Sequence, residues 1–205
     1  MTNSDSSVEH YFTAEPKSKP RFGLIRANLC RKPFKFLTAS GVFSKDRIDL
    51  GTRLLIENMV LPDKGCVLDL GCGYGPVGIT AAASNPCLNV FMVDINIRAV
   101  RLARRNVQMN NVNNALVKRG FLYEPVKDVI FDCVLTNPPV SAGMDTVKAM
   151  ICEAPGHMVE GASLQMVVRS KIAGDRFCRL FEDAFGNVSV LARGSGYRVL
   201  NSQKQ

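Results

Sequence analysis

From residue 66 to the carboxyl end, short apolar runs alternate with longer amphipathic ones, and this rhythm constrains the fold more than any other feature. Strand-like runs fall at 66–70, 89–93, 115–119, 131–136, 163–169, 188–193 and 197–201, and helix-like stretches at 76–84, 97–110, 144–154 and 173–185. Alternation of this kind predicts a mostly parallel sheet of seven strands with helices on both faces. The last two strands are joined only by Gly194-Ser195-Gly196. A three-residue link cannot make a parallel crossover, so they must pair as an antiparallel hairpin. Ahead of the alternation, residues 47–59 carry apolar side chains at helical spacing. Residues 22–29 and 34–39 read as two strands around Arg31-Lys32-Pro33, which makes 20–40 a small β-hairpin extension. The 205 residues suit one domain spanning 1–205, with the polar ends 1–9 and 202–205 expected to be disordered.

Two motifs sit at strand ends. After 131–135 comes Thr136-Asn137-Pro138-Pro139-Val140. Consecutive prolines fix two φ angles and remove two N–H donors, leaving a stiff turn whose carbonyls only accept. Such a turn beside the Asn137 amide can hold an exocyclic amine, which needs acceptors for its N–H groups; it is equally a plain strand-end turn. The second motif, Asp69-Leu70-Gly71-Cys72-Gly73-Tyr74-Gly75, follows an apolar run and opens a helix near Pro76. Glycines let the backbone turn sharply and approach a ligand, and the helix start is expected to point free N–H groups at it. Some twenty residues on, Asp94 ends another strand, where it can accept the hydroxyls of a ribose. Gly73-Tyr74-Gly75-Pro76-Val77-Gly78 also fits the dinucleotide pattern, so spacing alone does not separate a nicotinamide enzyme from an S-adenosylmethionine enzyme.

Together with Val93-Asp94-Ile95-Asn96, these motifs resemble the signature of class I S-adenosylmethionine-dependent methyltransferases. More narrowly, the chain is similar over about residues 8–202 to ribosomal RNA guanine-N2 methyltransferase catalytic domains and their small stand-alone archaeal relatives. Gly41-Val42-Phe43-Ser44 with Asp49-Leu50-Gly51-Thr52, Ala103 to Asn106 with Asn110, and Gly194 to Leu200 carry the narrower likeness. The resemblance implies a Rossmann-like α/β fold and S-adenosylmethionine as cofactor. It implies that Gly71, Gly73 and Gly75 pass beneath the cofactor, with Asp94 on its ribose and Asp69 orienting the loop or meeting the methionine ammonium. Ile95 and Phe121 are expected against the adenine and Thr52 near the methionine end. Asn137, Pro138 and Pro139 form the catalytic turn, with the Asn137 side-chain oxygen and the Pro138 carbonyl accepting from an aromatic amine. The family often has an aromatic residue after the prolines; here Val140 stands there, and stacking falls to another surface such as Phe43.

Charge points to the substrate. The formal net charge is +8, and between residues 17 and 35 lie Lys17, Lys19, Arg21, Arg26, Arg31, Lys32 and Lys35 with no acid. Phe22, Phe34 and Phe36 are interleaved, a footprint expected for an RNA phosphate backbone, or else a hairpin whose aromatics face the core. Arg98, Arg101, Arg104 and Arg105 fit an ordinary solvated helix face. The seven cysteines include no C-x-x-C pair; Cys66, Cys133 and Cys178, in apolar settings, suggest small buried residues in a reducing, cytoplasmic setting, and Cys72 a filler in the glycine loop. With only His10 and His157, and no long apolar run or leader pattern, metal chemistry and membrane insertion are not expected. The leading function is N-methylation of an RNA base, most specifically guanine N2 of ribosomal RNA. The alternatives are a protein glutamine N-methyltransferase, a nicotinamide oxidoreductase, or a non-catalytic RNA-binding module.

Overall fold

The computed structural model describes residues 19–138 and 143–205, without the side chains of 171–174. The chain opens with a hairpin, β1 (Phe22–Leu29) and β2 (Lys32–Ala39), and then α1 (Leu50–Asn58). The alternating unit follows: β3 (Gly65–Leu70), α2 (Pro76–Ser84), β4 (Leu88–Asp94), α3 (Ile97–Met109), β5 (Ala115–Arg119), β6 (Phe131–Thr136) and α4 (Met144–Cys152). It closes with β7 (Met158–Arg169), α5 (Ser170–Phe185), β8 (Ser189–Gly194) and β9 (Tyr197–Gln203). The seven-stranded sheet runs β5-β4-β3-β6-β7-β9-β8, parallel up to β7, with β9 antiparallel to both β7 and β8.

Boundaries move where local chemistry overrides periodicity. Asp49 takes an extended N-cap conformation and accepts from the Thr52 N–H at 3.0 Å, so α1 starts at Leu50, not at 47. β7 starts at Met158, five residues before 163, because pairing begins at Phe131↔Met158 ahead of the irregularity in β6. The expected disorder at 202–205 is corrected: β9 pairs through Gln203, and the Ser202 hydroxyl is buried against the Asn187 carbonyl. The hairpin turns at Cys30 and Arg31, both at positive φ, rather than at Arg31-Lys32-Pro33.

The sheet carries a core on each face. Leu55, Ile56, Val67, Ile79, Ala99 and Ala103 belong to one core; Leu68, Val134, Ile151, Phe181 and Leu200 belong to the other. The hairpin joins the first. Phe34 and Phe36 point inward and are almost fully buried, so of the three aromatics in the basic stripe only Phe22 is exposed. α3 completes the free edge of β2 with side chains instead of a strand. The Asn106 amide accepts from the Leu37 N–H at 2.7 Å and donates to the Leu37 and Tyr74 carbonyls. One turn on, Asn110 exchanges the same pair of bonds with Lys35.

Candidate active site

β3 and β6 are neighbours and parallel, with Asp69 opposite Leu135, so both motif loops leave the same edge of the sheet side by side. The Thr136 hydroxyl donates to the Leu70 carbonyl at 2.8 Å and ties the two strand ends together. The chain order reverses around β3, and a cleft opens outside the carboxyl ends there, as doubly wound sheets require. Asp69, Gly71, Gly73, Asp94, Ile95, Phe121, Thr52, Phe43 and Asn137 all line this cleft.

Four donors of the glycine loop are spent internally. Gly71 and Cys72 N–H both donate to the Val93 carbonyl, Gly73 N–H to Asp94 Oδ2, and Gly75 N–H to the Cys72 carbonyl. In the first turn of α2, Pro76 has no N–H and Gly78 N–H donates to Asp69 Oδ2 at 2.8 Å. The expectation of free helix N–H groups aimed at the ligand is therefore corrected for Gly78, whose N–H is spent on Asp69. At Gly71 and Gly73 the loop presents no Cβ atoms to the cleft, and two carboxylates flank it. Such a surface repels a pyrophosphate and attracts a cation.

Both carboxyls are raised above their usual range. Burial comes first for Asp69 and pushes it up to about 7; the Gly78 N–H pulls the other way, and the Asp94 charge adds to the rise. Burial also raises Asp94, against the pull of the Asn96 and Gly73 N–H groups. Each Asp94 oxygen accepts one backbone N–H, and a carboxylate oxygen has a second lone pair to offer. Cys72 is buried, and burial followed by the charges of Asp94 and Asp69 holds its thiol well above the ordinary range, which fits a filler and not a nucleophile.

Gly71 and Gly73 have φ of 77° and 58°. A Cβ on Gly73 would meet nothing within 4 Å, so the loop is open above it. Gly75 is different: it is absent from the cleft lining, and its Cβ would collide with Met92 Cε at 2.6 Å. It serves packing beneath the loop.

Asn137 Nδ2 donates to Thr52 Oγ1 at 2.8 Å and lies 3.3 Å from Asp49 Oδ2. Asp49 Oδ1 accepts from the Tyr197 hydroxyl at 3.4 Å, and the Arg169 Nε donates to that hydroxyl at 3.2 Å. Sequence reasoning placed Asp49 and Tyr197 only in flanking family stretches and gave them no role. The cap preference for aspartate marks Asp49, but no local signal marks Tyr197.

The basic candidates divide by position. Lys19 and Arg21 are exposed at the hairpin end nearest the cleft, where the Ser40 and Gly41 carbonyls are held by Arg98 and Asn96. Arg31, Lys32 and Lys35 lie toward the other end, roughly 15–25 Å along the strands, and Lys32 Nζ donates to the Ala83 carbonyl in the last turn of α2. Lys17, Pro139 and Val140 lie outside the described residues. Arg101, Arg104 and Arg105 are exposed on α3, with Arg104 reaching the Val117 carbonyl. Among the described residues no helix is long and apolar enough to cross a membrane.

Residues 33–201 match the family described as methyltransferase small domain. The chain is 34% identical to a Bacillus subtilis protein named uncharacterized protein YbxB, covering 96% of this chain and 98% of that one. It is 32% identical to ribosomal RNA small subunit methyltransferase C of Mannheimia succiniciproducens, covering 78% of this chain and 47% of that one. It thus spans about half the length of the curated methyltransferase C relatives it matches. Among solved structures, the Thermus thermophilus 16S rRNA N2 G1207 methyltransferase in complex with AdoMet and guanosine superposes with a TM-score of 0.82. The identity is 24%, over 93% of this chain and 52% of that one, a likeness of fold.

Proposed function

The chain belongs to the methyltransferase small domain family and uses S-adenosylmethionine as methyl donor, and from that premise we propose that it methylates an exocyclic amine of an RNA base, most specifically guanine N2 of ribosomal RNA. The observation that carries the reading is the setting of Asn137. Its amide nitrogen is occupied by Thr52 and Asp49, and among the described residues none donates to its oxygen, which can accept from an amine in the same cleft as the glycine loop.

S-adenosylmethionine, when bound, supplies a methyl group already activated by a positive sulfur. The cleft fits such a cation: two carboxylates flank it, and Gly71 and Gly73 present a floor without side chains. Asp94 would accept the ribose hydroxyls with its remaining lone pairs, and Asp69 holds the loop through Gly78 and adds negative charge. Ile95 and Phe121 would flank the adenine, and Thr52 the methionine end. The residues of the chain mainly position, which is worth most when two reactants must align in one geometry. An aromatic amine is a weak nucleophile because its lone pair is shared with the ring. The Asn137 oxygen and the Pro138 carbonyl would accept its N–H bonds and stabilise the positive charge growing on nitrogen.

For an RNA base, Phe43 is 37% exposed on the cleft lining and offers the stacking face that Val140 lacks, worth about 1–3 kcal/mol per base. Lys19 and Arg21 beside the cleft and Arg31, Lys32 and Lys35 farther along suit a structured RNA that follows the hairpin rather than a free nucleoside. The ribosomal RNA named in the methyltransferase C relatives supports the substrate class.

Incubation with methyl-tritiated S-adenosylmethionine and, separately, unmodified ribosomal RNA, transfer RNA and a release factor tests the reading. Label is expected in ribosomal RNA. Label in the release factor moves the assignment to a glutamine amide, and label in none overturns it.

A further inference from the structure

A carboxamide has two ends of nearly equal shape, one that only donates and one that only accepts. Which end of Asn137 faces the substrate is therefore decided by what the other end meets. We infer that Asp49 is the positioning residue that sets this polarity, an inference that rests on the reading of Asn137 as the amine acceptor. A carboxylate only accepts, so the amide end turned toward Asp49 Oδ2 must be the NH2. Thr52 Oγ1 alone would not enforce this, because a hydroxyl both donates and accepts.

Asp49 is itself held from several sides. It caps α1 through the Thr52 N–H at 3.0 Å. Its second oxygen takes the Tyr197 hydroxyl from β9. The Tyr197 ring lies so close to Gly51 that a Cβ there would sit 2.9 Å from it. The Arg169 guanidinium, at the end of β7, lies 5.5 Å from the centroid of that ring and donates to its hydroxyl. Asp49 does not line the cleft, so it acts through Asn137. The helix cap and the amine acceptor are thus one hydrogen-bonded unit built from α1, β6, β7 and β9.

Asp49→Asn keeps size and a capping oxygen but lets the new amide meet Asn137 by either end. A fraction of molecules then offers N–H2 to an amine that needs an acceptor. Asp49→Ser keeps a good helix cap and withdraws the carboxylate. Tyr197→Phe leaves the ring packed on Gly51 and removes one bond that holds Asp49.

The experiment uses the full chain with S-adenosylmethionine and the RNA that the wild type methylates. It measures kcat, donor Kd by calorimetry, Tm, and the NMR resonances of the Asn137 side-chain NH2, identified by their loss in Asn137→Ala. Asp49→Asn and Asp49→Ser are both expected to lose on the order of tenfold or more in kcat, with donor affinity retained and the NH2 resonances moved; Tyr197→Phe is expected to lose less. The inference is overturned if Asp49→Ser restores wild-type turnover, if the losses follow donor affinity, or if the resonances do not move. Should Asp49→Asn fail to fold, Asp49→Ser carries the same comparison. A wild type that transfers no methyl to RNA fails the functional reading instead, and the NMR comparison still decides the polarity.

Discussion

Gly73 and Gly75 flank Tyr74, both have positive φ, and the structure separates their uses. An alanine at 73 costs about 1–2 kcal/mol in the left-handed region, and its methyl enters open space above the loop. An alanine at 75 carries the same backbone cost and also drives into Met92 and Ile79, adding about 1–3 kcal/mol of overpacking. Gly73→Ala is expected to weaken S-adenosylmethionine binding more than it lowers Tm. Gly75→Ala is expected to lower Tm by several degrees more than Gly73→Ala. Calorimetric titration and thermal melts on both variants check this, and the reverse ranking contradicts the assignment. The spacing marked both glycines alike, because a motif records where the backbone must bend and not which side of it is empty.

Asp69 adds a pH dependence with a definite sign. Its folded carboxyl is raised by burial to about 7, above the unfolded value near 4. The folded chain keeps this proton where the unfolded chain has lost it. The stability it contributes is full below about pH 4 and is lost as pH rises toward 7. A cationic donor favours the ionised form, so binding should move the opposite way. S-adenosylmethionine is expected to bind more tightly as pH rises from 5.5 to 7, with a shallower slope in Asp69→Asn. Equal affinity across that range in the wild type would contradict the account.

Among the elements, the hairpin was the least legible in sequence. Its strands were readable from their aromatics and alternation. Its turn was not, since Cys30-Arg31 lacks the Asn-Gly signal and Pro33 drew attention two residues downstream. How it docks was also hidden, because Asn106 and Asn110 look like polar residues on a helix until β2 lies beside them. Asn106 is fully buried and joins β2 to the glycine loop through Leu37 and Tyr74. Asn106→Ala leaves these backbone groups without partners at about 1–3 kcal/mol each. It is expected to lower Tm and to speed amide exchange at Leu37. Donor affinity should also weaken, because Tyr74 belongs to the loop. Unchanged exchange at Leu37 would show that the hairpin docks by its apolar face alone.

At the scale of the molecule, the parallel sheet, its closing hairpin and the meeting of both motifs at one edge followed from alternation and one short link. The basic stripe did not translate so directly. A pleated strand sends successive side chains to opposite faces, so Phe34 and Phe36 went to the core while Lys35 stayed outside. The stripe also extends along the hairpin away from the cleft, so sequence proximity overstated how many cations adjoin the cleft. Asp49, Tyr197 and Asn137 are far apart in sequence, and the start of α1 meeting both β9 and the end of β6 brings them together. The central claim is that the Asn137 oxygen accepts from an exocyclic amine during methyl transfer. Mass spectrometry of nucleosides from RNA methylated by the wild type and by Asn137→Ala tests it most directly. The account predicts N2-methylguanosine from the wild type and a loss on the order of 100-fold or more in Asn137→Ala at unchanged donor affinity. Methylation of a ribose oxygen or a ring atom, or an undiminished yield from Asn137→Ala, would contradict it.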